Sequence, residues 1–183
     1  GRMRNEIVLD LETKRAPSEW GRRDELGSLG ISVVGMWSSR DDTFRAFRED
    51  AIPELATILE QADHLIGFAI KKFDLPVLQP YVSFDLGEIP VLDMFEDVSN
   101  RLGHRISLAS LAKATLGAAK TGHGLDAVTW YREGEWQRLE EYCLQDVRLT
   151  RDLYHFGKQQ GHLLFESNVD QKTVSVPVSW GMP

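Results

Sequence analysis

The sequence is short of cysteine, of long apolar runs and of any segment that resembles a leader. Its single cysteine, Cys143, excludes an internal disulfide framework and a cysteine-based zinc cluster. No apolar run approaches the ~18 residues that cross a bilayer. The N-terminal sequence GRMRNEIV has no apolar stretch ahead of a small-residue cleavage site. We therefore expect no secretory signal, no membrane association and a cytoplasmic location.

Positive charge is also scarce, because the net charge of the 183-residue chain is −7. This balance argues against a passive nucleic-acid binder, which usually carries a basic surface, but it suits a protein whose carboxylates hold cations. From Val98 to Leu125 the distribution reverses, since this stretch has no Asp or Glu. Its basic residues form either a solvated helical face or a surface that faces phosphate. They are Arg101, Arg105, Lys113 and Lys120.

The order of predicted elements favours one α/β domain over residues 1–183. The first strand, Arg4–Leu11, is too apolar for a sheet edge, and a polar loop is expected at 13–27. Two further strands, Ile31–Trp37 and Thr43–Phe47, extend the first into a meander. The later predicted elements are a helix at Ile52–Gln61, a strand at His64–Phe68, a helix at Phe73–Tyr81, a strand at Ile89–Leu92, helices at Leu108–Lys113 and Gly134–Gln160, and two β-rich pieces in the tail. This order resembles the ribonuclease H-like fold, a central mixed β-sheet (three-strand meander plus parallel strands) flanked by α-helices.

Two carboxylates, Asp10 and Glu12, lie two residues apart at the end of the first strand. Alternation along a strand sends both side chains to one face and leaves Leu9 and Leu11 for the core. Adjacent carboxylates repel each other and raise one another's pKa, a conflict that a divalent cation removes. The alternative is an ordinary solvent-facing strand end.

Further acidic residues stand in apolar contexts later in the chain. Asp74, in GFAIKKFDLPVL, follows the strand at His64–Phe68, where it could also cap a helix that Pro76 helps to start. Tyr142 and Asp146 are four residues apart on an otherwise apolar helical face. An aspartate there needs a partner, which could be a metal ion, the tyrosine hydroxyl or an arginine.

In order, these motifs resemble those of the DEDD superfamily of 3′–5′ exonucleases. The elements are D-x-E, then an Asp after an apolar strand, then Y-x-x-x-D on a C-terminal helix; the tyrosine is typical of the DEDDy branch. The segments GFAIKKFDLPVL, RISLASLAKATLG and YCLQDVRLT resemble bacterial predicted exonucleases related to the proofreading domain of family B DNA polymerases. The resemblance covers about Ile7 to Trp180.

This resemblance implies roles for the motif residues. Asp10, Glu12 and Asp146 match ligands of one metal, Asp10 and Asp74 match ligands of a second, and Tyr142 matches the residue that orients the attacking water. An all-carboxylate site suits two Mg²⁺ or Mn²⁺ ions. Lys71 and Lys72, beside Asp74, join the four basic residues named above as expected contacts to nucleic acid, with DNA favoured over RNA. One departure stands out, because many relatives have Asn five residues before the middle Asp where this chain has Ala69.

Three other functions stay open from the sequence. The same fold also supports a ribonuclease H-type endonuclease, or a catalytically silent binding module that works beside a helicase or polymerase. The acidic residues could also form a purely structural network in a scaffold protein. The sequence does not indicate an oligomeric state.

Overall fold

A computed structural model describes residues 4–16 and 23–181, which form seven strands and six α-helices. The strands are β1 (Glu6–Thr13), β2 (Ile31–Ser38), β3 (Thr43–Arg48), β4 (His64–Gly67), β5 (Val91–Asp93), β6 (His162–Glu166) and β7 (Thr173–Pro177). The helices are α1 (Ile52–Glu60), α2 (Leu75–Leu78), α3 (Met94–Leu102), α4 (Leu108–Leu116), α5 (Gly124–Glu133) and α6 (Trp136–Gln160). A π-helical turn, Ile70–Asp74, leads directly into α2.

Five strands form the central sheet in the order β3-β2-β1-β4-β5. Strands β1, β2 and β3 pair antiparallel, and β4 and β5 continue the sheet in parallel with β1. Strands β6 and β7 form a separate antiparallel pair that contacts α4 and α6. The predicted α/β architecture, a meander joined to parallel strands with helices around it, is therefore confirmed.

Strand β1 lies at the centre of the sheet and separates two apolar clusters. Ile7, Leu9 and Leu11 pack with residues of α1 and α2 on one face. Val8 packs on the other face against a cluster that includes Val147 of α6. Because side chains alternate along a strand, Asp10 and Glu12 lie on the α6 side.

Gly35 of β2 allows α6 to pack closely beside Asp10. It is the register partner of Asp10, and a Cβ there would lie 3.0 Å from both Cys143 Sγ and Val147 Cγ2. Real Cβ atoms rarely come so close, so a side chain at this position would displace α6. The glycine thus helps to set the distance between β1 and the helix that carries Asp146.

Two helices, α3 and α5, were not predicted from the sequence. Helix α3 begins where Asp93 accepts a hydrogen bond from Glu96 N at 3.1 Å. Helix α5 ends at Gly134, which has a left-handed φ of 72°. The predicted helix at Gly134–Gln160 therefore starts later, at Trp136, because a glycine in this conformation ends a helix.

The other predicted boundaries need smaller changes. The helix expected at Phe73–Tyr81 is instead the π-helical turn, α2 and a turn of 3-10 helix. Part of the loop expected at 13–27, residues 17–22, lies outside the described residues, as do residues 1–3. Within the described ranges, none of the helices has the length and apolarity to cross a membrane.

Glu6, at the start of β1, has a buried carboxylate whose charge is compensated by neighbouring side chains. Its carboxylate accepts a hydrogen bond from the Tyr154 hydroxyl and lies 3.4 Å from His64 Nδ1 and 3.5 Å from Lys158 Nζ. Burial alone would raise the pKa of Glu6, but these partners outweigh it and lower the pKa to about 2. This network joins β1, β4 and α6 at the end of β1 away from Asp10.

Candidate active site

Three carboxylates from distant parts of the chain meet on the α6 face of β1. Asp10 and Glu12 come from β1, Asp146 comes from α6, and one oxygen of each lies within 4.8 Å of the other two. Asp146 is 8% exposed. Its Oδ1 atom has no hydrogen-bond partner within the described part of the chain. A buried carboxylate oxygen without a donor is costly unless a cation compensates it.

Asp74 lies beside this cluster but is held by a different contact. It is 4% exposed, and its Oδ2 accepts a hydrogen bond from Leu11 N of β1 at 3.0 Å. Its side chain makes no cap bond to α2 within the described residues. The helix-capping role that the sequence left open for Asp74 is therefore not observed, and its role in the site stays a prediction.

Burial and mutual repulsion make the carboxyl groups resist ionisation. Burial raises the pKa of Asp10 well above its usual range, and the charges of Asp146, Asp74 and Glu12 raise it further. Burial raises the pKa of Asp74 to about 8 despite the hydrogen bond from Leu11. Burial also raises the pKa of Asp146 to about 6, although Lys120 acts in the opposite direction. Carboxyl groups whose pKa values are raised in this way are typical of functional sites.

Tyr142 and Lys120 complete the cluster. The Lys120 ammonium donates to the Tyr142 hydroxyl at 3.0 Å and lies 3.6 Å from Asp146 Oδ1. Lys120 thus takes the place of the arginine that the sequence offered as a side-chain partner for Asp146. Burial and the charges of Asp146, Glu12 and Asp10 raise the pKa of Tyr142, so its hydroxyl keeps its proton at neutral pH.

Two cavities share Phe73 as a lining residue, and the smaller of them reaches the carboxylate cluster at Glu12. The smaller has a volume of about 280 Å³ and includes Glu12 and Leu125 among its lining residues. The larger has a volume of about 670 Å³. Its lining residues include Ala69, Lys72, Phe73, Phe95, Ser99, His104 and Arg105. The buried Ser99 Oγ has no hydrogen-bond partner among the residues described.

The basic residues predicted to face phosphate fall into separate environments. Lys72 and Arg105 line the larger cavity, and the Arg105 guanidinium lies 5.3 Å from the centre of the Phe95 ring. Lys120 lies within the acidic cluster. The remaining three are exposed: Arg101 pairs with Asp97 at 3.3 Å, Lys71 pairs with Glu96 at 3.3 Å, and Lys113 lies on α4.

Two contacts at the site were not predicted from the sequence. Cys143 Sγ lies 3.6 Å from the Asp10 carbonyl oxygen and 3.7 Å from Asp10 Oδ2, a contact that no motif in the sequence indicates. Asp93, at the end of β5, accepts backbone hydrogen bonds from the turn that carries Asp74. The signal for Asp93 was an Asp directly before a helical segment, which is a common helix start.

The geometry defines an α/β domain with a carboxylate centre suited to a divalent cation. The RNase_H_2 family model, of the RNase_H superfamily, matches residues 25–156. The chain therefore belongs to the RNase_H superfamily. The matched region contains Asp74, Tyr142 and Asp146, whereas Asp10 and Glu12 precede it.

Structural comparison supports the same fold. The family B DNA polymerase from the hyperthermophilic archaeon Pyrobaculum calidifontis is similar, with a TM-score of 0.66 and 15% sequence identity. The alignment covers 85% of this chain but 25% of the polymerase chain, so this chain spans about a quarter of that protein. A search of curated proteins gives no match.

Proposed function

We propose that the protein is a metal-dependent 3′–5′ exonuclease that hydrolyses phosphodiester bonds, with single-stranded DNA as the favoured substrate. The observation that carries the proposal is the convergence of Asp10, Glu12 and Asp146. The buried Asp146 Oδ1 accepts no hydrogen bond within the described residues, and Lys120, 3.6 Å away, is one cation beside three carboxylates. Membership of the RNase_H superfamily supports phosphodiester chemistry. The resemblance to a DNA polymerase supports DNA over RNA.

The donor set fits hard divalent cations. All donors in the cluster are carboxylate oxygens, which Mg²⁺ and Mn²⁺ prefer, whereas zinc more often uses His or Cys. Asp10, Glu12 and Asp146 would hold one ion, and Asp10 with Asp74 would hold a second. Ions held there supply a more acidic water and neutralise the charge that develops on the leaving 3′ oxygen.

The neighbouring side chains have separate tasks in this proposal. The Tyr142 hydroxyl accepts a hydrogen bond from Lys120, so its own proton is available for donation to the attacking water. Lys120 also offsets part of the negative charge near Asp146, which would ease the approach of a phosphate. The order of the motifs, ending in Tyr142 and Asp146, favours the DEDDy branch and thereby the 3′–5′ direction.

The two cavities offer a path for the strand. The terminal nucleotide would lie against Glu12 in the smaller cavity, and the preceding nucleotide would pass Phe73 into the larger one. There Phe95 offers a stacking surface, and Lys72 and Arg105 offer positive charge to the backbone. A narrow path of this kind favours a single strand over a duplex.

The test is a panel of end-labelled single-stranded DNA and RNA oligonucleotides with Mn²⁺, Mg²⁺ or chelator. We expect a ladder of products shortened from the 3′ end with either metal and none with chelator. Asp146→Asn should lower the rate by at least about a hundredfold, because it removes the charge of a proposed ligand. Asp152→Asn, a matched change at a half-exposed position of α6 outside the carboxylate cluster, should retain activity.

Other outcomes identify the competing functions. Internal fragments in place of single nucleotides would indicate an endonuclease on the same fold. Binding of oligonucleotides without cleavage, together with no uptake of Mn²⁺ by calorimetry, would indicate a silent module beside a helicase or polymerase, for instance in DNA repair. Full activity of the Asp146→Asn protein would eliminate the proposed site.

A further inference from the structure

Asp93 holds together two elements next to the acidic cluster. It is the last residue of β5 and is 4% exposed. Its Oδ1 accepts from Ala69 N at 2.9 Å and from Glu96 N at 3.1 Å, and its Oδ2 accepts from Lys71 N at 3.0 Å. One carboxylate therefore caps α3 and also binds two amides of the turn that leads to Asp74.

The turn that Asp93 binds has an unfavourable backbone conformation. Ala69 has φ 65° and ψ 29°, the left-handed region that residues with a Cβ rarely adopt. It is followed by the π-helical turn Ile70–Asp74, a rare structure that occurs often at functional sites. Such a segment keeps its shape only when its surroundings fix it. The two amide hydrogen bonds to Asp93 are contacts of this kind.

The other end of the same turn carries Asp74. Its Oδ2 accepts a hydrogen bond from Leu11 N, which holds the carboxylate against β1. Asp93 fixes the start of the turn and Leu11 fixes its end. The position of the Asp74 carboxylate relative to Asp10 therefore depends on both anchors.

We propose that Asp93 is a positioning residue for the metal centre: its bonds to Ala69 N and Lys71 N place Asp74 where it can hold a divalent cation. This inference rests on the proposed function only in requiring that the cluster binds such an ion. Asp93 itself contacts no ion in this scheme. Loss of a residue that orients a metal ligand typically weakens metal affinity by about 10- to 100-fold.

The experiment is a double-mutant cycle read by calorimetric titration of the purified chain with Mn²⁺. Asp93→Asn removes one of the two acceptor oxygens and should weaken Mn²⁺ binding by about tenfold or more. Asp74→Asn should also weaken it. In the double variant, Asp93→Asn should cause no further loss, because the ligand that it positions is already gone.

A second substitution separates the turn from the helix cap. Asp93→Ser keeps a good N-cap for α3 but offers a single short oxygen, which cannot also reach the turn. It should fold and still weaken Mn²⁺ binding. Asp85→Asn is the matched control, because Asp85 caps a 3-10 turn through Gly87 N and should leave Mn²⁺ binding unchanged.

The possible failures are distinguishable. If Asp93→Asn weakens Mn²⁺ binding equally with and without Asp74→Asn, or if Asp93→Ser binds Mn²⁺ like the wild type, the positioning role is wrong and the proposed function stands. If the wild-type protein takes up no Mn²⁺, the proposed function fails and the positioning role fails with it. Mn²⁺ uptake with a coupled cycle but without strand cleavage would support the positioning role alone.

Discussion

At the scale of single residues, the candidate site is a set of carboxyl groups whose ionisation the folded protein disfavours. Asp10, Asp74 and Asp146 all have pKa values above the usual range, with burial as the first cause. A buried group with a raised acid pKa lowers stability once the pH is high enough to ionise it in the unfolded chain. Unless a cation is bound, the carboxylate cluster therefore lowers the stability of the folded protein at such pH values.

Asp74 gives this cost a definite pH window. Its pKa is about 8 in the folded protein, well above the ordinary value of 3.8 for an aspartate. The contribution of Asp74 to the stability of the folded protein is therefore highest below about pH 4, where the group is protonated in both the folded and the unfolded chain. It falls as the pH rises towards about 8. In chelator, we expect Asp74→Asn to melt close to the wild type at pH 4 and several °C above it at pH 8. The measurement is thermal unfolding by circular dichroism at several pH values.

Excess Mn²⁺ provides the control for this experiment. Ligand binding stabilises the folded state by mass action, so the metal should raise the melting temperature of the wild type at pH 8 more than that of Asp74→Asn. A variant that melts below the wild type at pH 8 in chelator would show that the hydrogen bond with Leu11 outweighs the repulsion.

At the scale of elements, helix α6 connects the site to the rest of the molecule. It carries Tyr142 and Asp146 and packs over β1 and β2. Further along, Gly157 lies against Trp180 of the C-terminal segment, and the Trp180 Nε1 atom donates to Asp97 of α3 at 2.8 Å. The tail thus fastens α3 to α6 by packing and by one hydrogen bond.

Gly157→Ala tests this packing. A Cβ at Gly157 would lie 2.5 Å from Trp180 Cε3, so the indole has to move. Helix propensity alone would favour alanine by about 1 kcal/mol, but overpacking typically costs about 1–3 kcal/mol. We expect a net loss of about 1 kcal/mol in the free energy of unfolding, measured with urea.

Gly124→Ala is the matched control for that substitution. A Cβ at the first residue of α5 would meet no described atom within 4 Å. The change should therefore be neutral or slightly stabilising. Equal effects of the two substitutions would mean that Trp180 does not pack tightly on α6 in solution.

At the scale of the whole molecule, the proposed function requires an acidic protein to admit a polyanion. The net charge is −7, yet Lys72 and Arg105 line the larger cavity and Lys120 stands among the carboxylates. Local positive charge along the path can guide a strand to a site that would otherwise repel it. Binding should consequently depend on a few residues and on salt concentration.

Arg105→Glu should weaken the binding of a single-stranded oligonucleotide by about tenfold at low salt, with a smaller effect at high salt because ions screen the charge. Fluorescence anisotropy in chelator measures this without degradation of the strand. Arg40→Glu, in the turn between β2 and β3 at the other end of β1, is the control with the same charge change. Equal weakening by both substitutions would indicate a general charge effect without a defined path.

The sequence alone determined the architecture and the identity of the candidate ligands. Apolar periodicity placed β1 to β4 and most of α6, because burial of a strand or helix face leaves a regular pattern in the residues. The D-x-E and Y-x-x-x-D motifs could be recognised for the same reason, since their fixed spacing puts two side chains on one face of a strand or of a helix. Helix α3 was not predicted, because more than half of its nine residues are polar and its start depends on the cap by Asp93.

Only the tertiary structure decided which distant residues meet. It brings Lys120 to Tyr142 and Asp146. It leaves Asp146 Oδ1 without a hydrogen bond in the described part of the chain, and it joins Asp93 to the turn before Asp74. These contacts span separations that carry no periodic signal along the chain. Local pattern therefore fixes which faces are buried, whereas the packing of those faces fixes the environment of each charge.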